Sequence, residues 1–285
     1  MKSYLNLGCG TRYHPDWLNI DIAPQNSEII QHDLSKGIPL PDGSCYVVYH
    51  SAVLEHMHRA DALNFLEECH RVLQSGGIIR VGVPDLEILC SMYLQKLEAA
   101  LTGDRAATND YDWIILELYD QTVREQSGGD MVKYLRQDPI PNESFVYTRI
   151  GEEGRELVQK LRQLNRSSQP PWTTESASFY RRLHRKIVAL PDAAVRCLQR
   201  WLLDADDMRA LKIGHFRQTG EVHLWMYDRF SLSRMLEEAN FCDPKVQDAT
   251  SSMIPDWSAF HLDTLPDGSV IKPDLIFMEA TKNEA

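Results

Sequence analysis

"YLNLGCGTRYHPDWLNIDIAP" occupies residues 4–24. It reads as a strand over 4–8, a glycine turn, and a second strand over 17–22 that ends on Asp21 and Ile22. Short aliphatic runs that stop at turn or polar residues are what strands of a buried parallel sheet look like. A strand that feeds a glycine turn delivers it to the carboxyl edge of such a sheet, where ligands bind. Glycine at positions 8 and 10 lets the backbone approach a ligand with no Cβ in the way. A dinucleotide fingerprint would require G-x-G-x-x-G and a helix beneath a pyrophosphate. Here the register gives Gly8, Gly10 and Tyr13, and Pro15 blocks an ordinary helix. Only 13 positions separate Gly8 from Asp21, against roughly 20 in dinucleotide folds. The turn is not built for a pyrophosphate.

Working outward, "EIIQHD" (28–33), "CYVVYHS" (45–51) and "GIIRVGVP" (77–84) read as further strands. Between the last two, "RADALNFLEECHRVLQSGG" places Ala62, Leu63, Leu66, Cys69, His70 and Leu73 at helical spacing, with Gly76–Gly77 expected to stop the helix. That is a βαβ unit and predicts a parallel sheet. From Asp85 to His215 strand signals give way to helical runs over 87–101, 111–126, 152–164 and 175–190, with a loop at 165–172. Residues 227–241 read as a helix with Ser231 as N-cap, and 245–250 and 275–281 as strands. "LPDGSVIKP" (265–273) carries the Asp-Gly pair of a tight turn. The expected organisation is 1–84 for the first half of an α/β core, 85–215 for a helical insertion that caps the substrate side, and 216–285 for the rest of the core. The final strands close the sheet antiparallel.

The chain has 285 residues, 43% of them hydrophobic, and a formal net charge of -11. This balance argues against broad nucleic-acid binding. No run approaches the ~20 apolar residues of a membrane span, so no integral membrane segment is expected. The six cysteines include no C-x-x-C pair, which fits reduced thiols and a cytoplasmic location. Between Arg155 and Arg200, ten Lys and Arg residues face only Glu156, Glu175 and Asp192. Solvated helix faces explain this cluster; a surface for a phosphate-bearing or membrane-linked substrate is the sharper alternative.

A ribose without a phosphate suits the opening turn. Asp21 ends the second strand, where a carboxylate accepts from both ribose hydroxyls, and Asp33 ends the third in "QHDL", facing an exocyclic amine. Adenosine carried on a sulfonium fits that arrangement. In order along residues 4–85, "LNLGCGT", "NIDI", "QHDL", "VVYHSAVLEHM" and "FLEECHRVLQSGGIIRVGVPD" resemble the successive motifs of class I S-adenosylmethionine-dependent methyltransferases. "GEVHLWMYDRFSLSRMLEEANF" and "DGSVIKPDLIFMEA" are similar to a bacterial group of these enzymes associated with surface-polysaccharide or glycan assembly. The resemblance implies a doubly wound, Rossmann-like methyltransferase fold, an α/β sheet mostly parallel with an antiparallel C-terminal strand. It also implies S-adenosylmethionine as cofactor. Gly8, Cys9 and Gly10 then lie under its methionine part, Asp21 on the ribose and Ile22 beside the adenine. Asp33 and Leu34 flank the ring. Ser51, Leu54, Glu55 and His56 lie near the sulfonium and substrate. The sequence departs from the family by running "TRYHPDW" almost straight into the next strand, so the first helix is expected to be missing. Arg12 or Tyr13 fills the space, Arg12 either on the cofactor carboxylate or at the surface.

O-methylation of a sugar, glycan or other small molecule is the expected reaction. A hydroxyl acceptor benefits from a general base, and His223 and His56 are the candidates, with Glu221, Tyr227 and Asp228 near enough to orient His223; a structural junction is the other reading of that segment, and a structural or cofactor-lining role the other reading of His56. His58 forms an H-x-H pair with His56, but no further ligands have metal spacing, so no metal is expected. Trp225, Trp257 and Phe260 are candidates for an acceptor pocket. A non-catalytic cofactor- or partner-binding protein and an NAD-dependent dehydrogenase are the alternatives. Exposed insertion helices leave a homodimer open.

Overall fold

The computed structural model describes residues 4–166 and 203–283. The helix expected over 175–190, residues 167–172 of the expected loop, and most of the basic cluster lie outside the described residues. Seven strands form one sheet: β1 (Tyr4–Leu7), β2 (Leu18–Asp21), β3 (Ile29–Gln31), β4 (Cys45–Ser51), β5 (Leu73–Pro84), β6 (Phe241–Gln247) and β7 (Leu275–Lys282), in the order β3-β2-β1-β4-β5-β7-β6. The first five pair in parallel, and β7 runs antiparallel between β5 and β6. The order reverses between β1 and β4, which places a crevice at the carboxyl ends of those strands. The architecture is the mostly parallel Rossmann-like sheet expected from the sequence.

No helix joins β1 to β2. Buried amides hold the shortened crossover instead: Asn6 Nδ2 donates to the Arg12 carbonyl (3.0 Å) and to Asn19 Oδ1 (3.2 Å), and Asn19 Nδ2 donates to the carbonyls of His14 (2.9 Å) and Trp17 (3.0 Å). These bonds satisfy carbonyls that a helix would have satisfied internally.

One face of the sheet packs on α1 (Arg59–Val72) and on a C-terminal helix, Arg229–Glu238. Phe65, Leu66, Cys69, Leu232 and Leu236 meet Leu5, Leu7 and Val48 there. The other face is covered by Trp17 and a loop with the short 3-10 turn Trp257–Phe260, in a cluster with Val47, Tyr49, Ile78 and Leu262. Trp257 and Phe260 are therefore part of the packing on this face, with rings 5.1–6.3 Å from Trp17, Tyr49 or each other.

Two local expectations are corrected. The helix α1 stops at Val72, and Gly76–Gly77 lie inside β5. The register shifts between Cys45 and Val47 there, and a Cβ on Gly77 would sit 3.0 Å from the Tyr46 carbonyl oxygen, so the glycines serve close strand approach rather than helix termination. Asp228, not Ser231, caps the C-terminal helix. Its carboxylate accepts from the N–H groups of Phe230 (3.0 Å) and Ser231 (2.7 Å), and Ser231 Oγ accepts from the Asp228 N–H (3.0 Å) in a reciprocal capping box.

After β5 the chain forms α2 (Leu86–Leu101), α3 (Arg105–Ile115), a π-helical turn at Leu116–Asp120, then α4 (Gln121–Val123), α5 (Gly129–Leu135), α6 (Glu143–Arg166) and α7 (Ala205–Arg217); the C-terminal helix is α8. Helix α6 breaks at Gly151, which has φ 58 and ψ -151. A Cβ at that position would stand 2.4 Å from the Ile271 carbonyl oxygen and from Pro273 Cδ. The break presses α6 onto residues 271–273, which form a wall of the crevice.

Candidate active site

The glycine turn occupies the crevice at the switch point. Gly8 (φ 64) and Gly10 (φ 52) both adopt left-handed backbone, which costs side-chain-bearing residues about 1–3 kcal/mol. The N–H groups of Gly8 and Cys9 donate to the Ile20 carbonyl (2.8 and 3.3 Å), clamping the turn to β2. A Cβ on Gly8 would meet Val53 Cγ2 at 2.5 Å, whereas nothing lies within 4 Å of the corresponding point on Gly10. Position 8 is tight against the protein and position 10 is open to a ligand. Gly8→Ala is expected to destabilise the fold by about 1–3 kcal/mol of backbone strain with the cost of the Val53 clash added to it, as read by urea unfolding; Gly10→Ser, which carries the strain without the clash, should show the smaller loss. An equal loss at both positions would refute this division.

Asp21 is buried at the end of β2. Its Oδ2 accepts from the Gly10 N–H (2.8 Å) and its Oδ1 from the Ala23 N–H (2.7 Å). Each oxygen keeps a lone pair for a further donor, such as a ribose hydroxyl. Ile22 beside it is exposed, an apolar surface at the strand end. Asp33 caps the 3-10 turn Leu34–Lys36: Oδ1 accepts from the N–H and hydroxyl of Ser35, Lys36 Nζ lies 3.5 Å from Oδ2, and these bonds hold the carboxyl below its usual range. Leu34 packs against the main core. Asp21, Ile22 and Asp33 thus follow the carboxyl ends of adjacent strands β2 and β3. Burial pushes the Cys9 thiol up to about 12, so it is an inert wall rather than a nucleophile.

A cavity of about 140 Å³ opens beside the turn, lined by Gly8–Arg12, Ser51, Tyr49, Asp263, Glu153 and Lys272 among others. Arg12 pairs with Glu156 of α6 at 3.4 Å, and Lys272 with Glu153 at 3.1 Å, so α6 supplies acids to two cavity cations. Tyr13 turns away and accepts from Asn26 Nδ2 at 2.8 Å.

Sequence inspection missed the device behind this cavity. Arg80, fully buried on β5, donates to Asp263 (2.9 Å), Glu279 (2.7 Å) and the carbonyls of Ser251 (2.9 Å) and Asp248 (2.7 Å). Tyr49 donates to the other Asp263 oxygen at 2.6 Å. The guanidinium also stands 4.5 Å from the Trp257 ring and 4.8 Å from the Phe277 ring. Arginine in "GIIRVG" inside a strand of aliphatic residues was the available signal, since a buried charge demands partners.

On the other side of the strand ends, the 3-10 turn Leu54–His56 meets the chain returning from the helical segment. The N–H groups of Leu224 and Trp225 donate to the Glu55 carbonyl (2.7 and 3.2 Å), and the His223 N–H to the Gln121 carbonyl (2.9 Å). This docking brings the His223 ring to 4.8 Å from the His56 ring, edge to face. Glu55 lies behind them, its Oε1 at 4.0 Å from His56 Nε2. Burial pushes the Glu55 carboxyl up to about 7, lowers His56, and holds His223 down to about 3. Both imidazoles are thus neutral at pH 7. Glu221 and Asp228, read from sequence as partners of His223, are engaged elsewhere: Glu221 accepts from the Gly128 N–H (2.8 Å) and Arg124 (3.3 Å), and Asp228 caps α8. Trp225 remains exposed under the Arg59 guanidinium (5.7 Å), beside a second cavity of about 190 Å³ that includes Tyr227, Ser231 and Arg234.

Among the described residues no helix is long and apolar enough to cross a membrane.

Residues 5–81 match the family model described as "Methyltransferase domain". A "Probable S-adenosylmethionine-dependent methyltransferase" of Mycolicibacterium smegmatis is 41% identical over 102 residues, 30% of this chain and 38% of its own length. A protein of the same description, Rv3030 of Mycobacterium tuberculosis H37Rv, is 40% identical over 58 residues, 20% of each chain. The chain therefore spans well under half the length of these curated relatives. A Thermotoga maritima structure titled a methyltransferase, "possible histamine N-methyltransferase", aligns over 98% of this chain and 81% of its own, at 12% identity and a TM-score of 0.37. The stretch that runs from β1 into β5, with the glycine turn and both acids, is the part of the chain that the methyltransferase-domain model matches.

Proposed function

We propose that the chain transfers a methyl group from S-adenosylmethionine to a hydroxyl of a small-molecule acceptor, a sugar or glycan. The observation that carries this reading is the pairing of an open, left-handed Gly10 with Asp21, whose carboxylate is tied to the Gly10 N–H and keeps lone pairs free. Those features fit a ribose and a methionine tail. When bound, S-adenosylmethionine supplies an electrophilic methyl on a sulfonium. The protein's part is to hold the acceptor oxygen in line and to take its proton. His56 is the member of the histidine pair that an acceptor can reach, with a quarter of its side chain exposed. Glu55 behind it has a pKa of about 7, matched to a proton acceptor at neutral pH. His223, the base favoured from sequence, packs edge-on behind His56. Trp225 offers an exposed indole beside this group, a platform for the apolar face of a sugar ring. The described helices of the 85–215 segment then serve as the substrate-side cap, since α6 reaches the crevice from it and the stretch that carries His223 follows α7.

Calorimetric titration with S-adenosylmethionine, S-adenosylhomocysteine and NADH tests the reading. Both adenosyl ligands should bind and NADH should not. Asp21→Asn, which keeps the shape and removes the charge, should weaken adenosyl binding at least tenfold, about 1.4 kcal/mol. Absence of adenosyl binding, or NADH binding alone, would overturn the proposal.

A further inference from the structure

Glu55, His56 and His223 each offer one donor atom, and the three atoms lie within 4.8 Å of one another. We infer that they form a binding site for a divalent transition-metal ion, held by the Glu55 carboxylate and one ring nitrogen from each histidine. Three features of the site point the same way.

The first is the tautomer of His56. Its Nδ1 lies 3.3 Å from the Val222 carbonyl oxygen. A carbonyl only accepts, so Nδ1 carries the proton and Nε2 keeps its lone pair. That Nε2 is the atom turned toward Glu55 Oε1. A backbone carbonyl on the far nitrogen is how ligating histidines are oriented.

The second is Glu55 itself. Its Oε2 is buried and has no hydrogen-bond partner. A buried carboxylate oxygen left in that state is costly, and a cation satisfies it directly.

The third is the backbone. The N–H groups of Leu224 and Trp225 bond to the Glu55 carbonyl, so the peptide that carries one ligand is clamped to the peptide of another. The nearby cations do not oppose an ion strongly, because each has an acid of its own. Arg124 pairs with Asp120 (3.0 Å) and Glu221 (3.3 Å), and Lys272 pairs with Glu153 (3.1 Å).

Two imidazoles and a carboxylate suit Zn²⁺, Co²⁺, Mn²⁺ or Fe²⁺. Metal–ligand bonds of about 2.0–2.2 Å place the donors of a tetrahedral site roughly 3.3–3.6 Å apart, so the three side chains must draw together by up to about 1.5 Å. Three protein ligands leave at least one coordination position open. An acceptor hydroxyl placed there loses its proton to solvent more readily, as metal-bound water does, and with the ion in place Glu55 and His56 serve as ligands and not as the proton acceptor. The site also explains why no metal spacing shows in the sequence: two ligands are adjacent on one turn and the third is supplied after the whole helical segment.

The test uses the full chain, stripped with chelator and dialysed, and titrated with Co²⁺ by absorption and with Zn²⁺ by calorimetry. One equivalent should bind, with a Co²⁺ d–d band. Glu55→Gln and His223→Asn should each weaken binding at least a hundredfold, while His58→Gln, on an exposed neighbour outside the trio, should leave it unchanged. Urea unfolding of each variant verifies folding; if His223→Asn does not fold, the near-isosteric Glu55→Gln decides. Failure of the wild-type chain to bind either ion at 100 µM (roughly −5.5 kcal/mol), or unaltered affinity in Glu55→Gln, would overturn the inference. The readout is metal binding, so it stands or falls apart from methyl transfer; titrating the stripped protein with S-adenosylhomocysteine shows separately whether the cofactor reading holds.

Discussion

Arg80→Met is expected to destabilise the protein by about 3–5 kcal/mol, the usual cost of removing one partner from a buried ion pair. Arg80 is fully buried, as are both its acid partners, Asp263 and Glu279. Methionine fills much of the same volume, so the loss measures unpaired charge rather than a cavity. Two carboxylates would be left in the interior, one held by Tyr49 and the other by Ser252 and the Met253 N–H (2.6 Å). Against a total stability of roughly 5–15 kcal/mol for a domain, this is a large fraction. The sign of the pH dependence follows from Asp263, whose carboxyl is already raised by burial despite Arg80. A raised folded-state pKa means the folded chain holds a proton the unfolded chain has lost, so stability falls as pH rises above the ordinary carboxylate range. Without Arg80 that rise grows, and the deficit of the variant should widen from pH 4 to pH 7. Urea unfolding at the two pH values measures it. Adding Glu279→Gln to Arg80→Met should recover part of the loss by neutralising one stranded charge; a deficit under 1 kcal/mol, or no recovery, would show that the network is not what holds this face.

The same network shows why the site was only half legible from the amino-acid order. The glycine turn, Asp21 and Asp33 sit within thirty residues of one another and at the ends of strands, so periodicity and turn chemistry expose them. The parallel pairing of the first strands and the missing first helix follow from the same local signals, with Pro15 and the short spacing, whereas the strand order does not. The cavity's other wall does not: Glu153, Asp263 and Lys272 reach it from α6 and the C-terminal segment, and no local pattern marks them. Gly151 is the sole trace of that approach, a glycine within a helical run whose reason is the backbone of Ile271. Residues were also misassigned where one chemistry serves two purposes. An aspartate beside a histidine resembles a catalytic orienter, yet Asp228 precedes a helix and caps it. Tryptophan near a site resembles a sugar platform, yet Trp257 closes the sheet's second face while Trp225 stays exposed. Histidines 56 and 223 stand far apart in sequence, and only the docking of Leu224 and Trp225 on Glu55 unites them.

His50→Leu should make the protein more acid-resistant by several kcal/mol. His50 sits on β4 opposite Leu7 and Val81, fully buried, with its ring 5.1 Å from Phe65. Neither ring nitrogen has a hydrogen-bond partner. Burial alone holds its pKa down to about 3. The folded chain therefore keeps this imidazole neutral, while the unfolded chain protonates it below its ordinary pKa of about 6.5. Protons bound only by the unfolded state draw the equilibrium toward it. The stabilisation is complete above pH 6.5 and is lost as pH falls toward 3, at up to about 1.4 kcal/mol per pH unit and on the order of 4–5 kcal/mol over the whole window. Leucine has no proton to gain and brings no unpaired nitrogen into the core. At pH 7.5 the variant should already match or exceed wild type, because an unsatisfied buried polar group costs about 1–3 kcal/mol. Between pH 6 and pH 4 the gap should open steadily. The His223 pKa is displaced in the same direction, but it titrates in both proteins and cancels in the comparison. Urea midpoints at pH 7.5, 6, 5 and 4 settle the matter: two curves that stay parallel would mean that His50 finds a partner or is solvated in solution, and that the acid sensitivity of this fold lies in other groups.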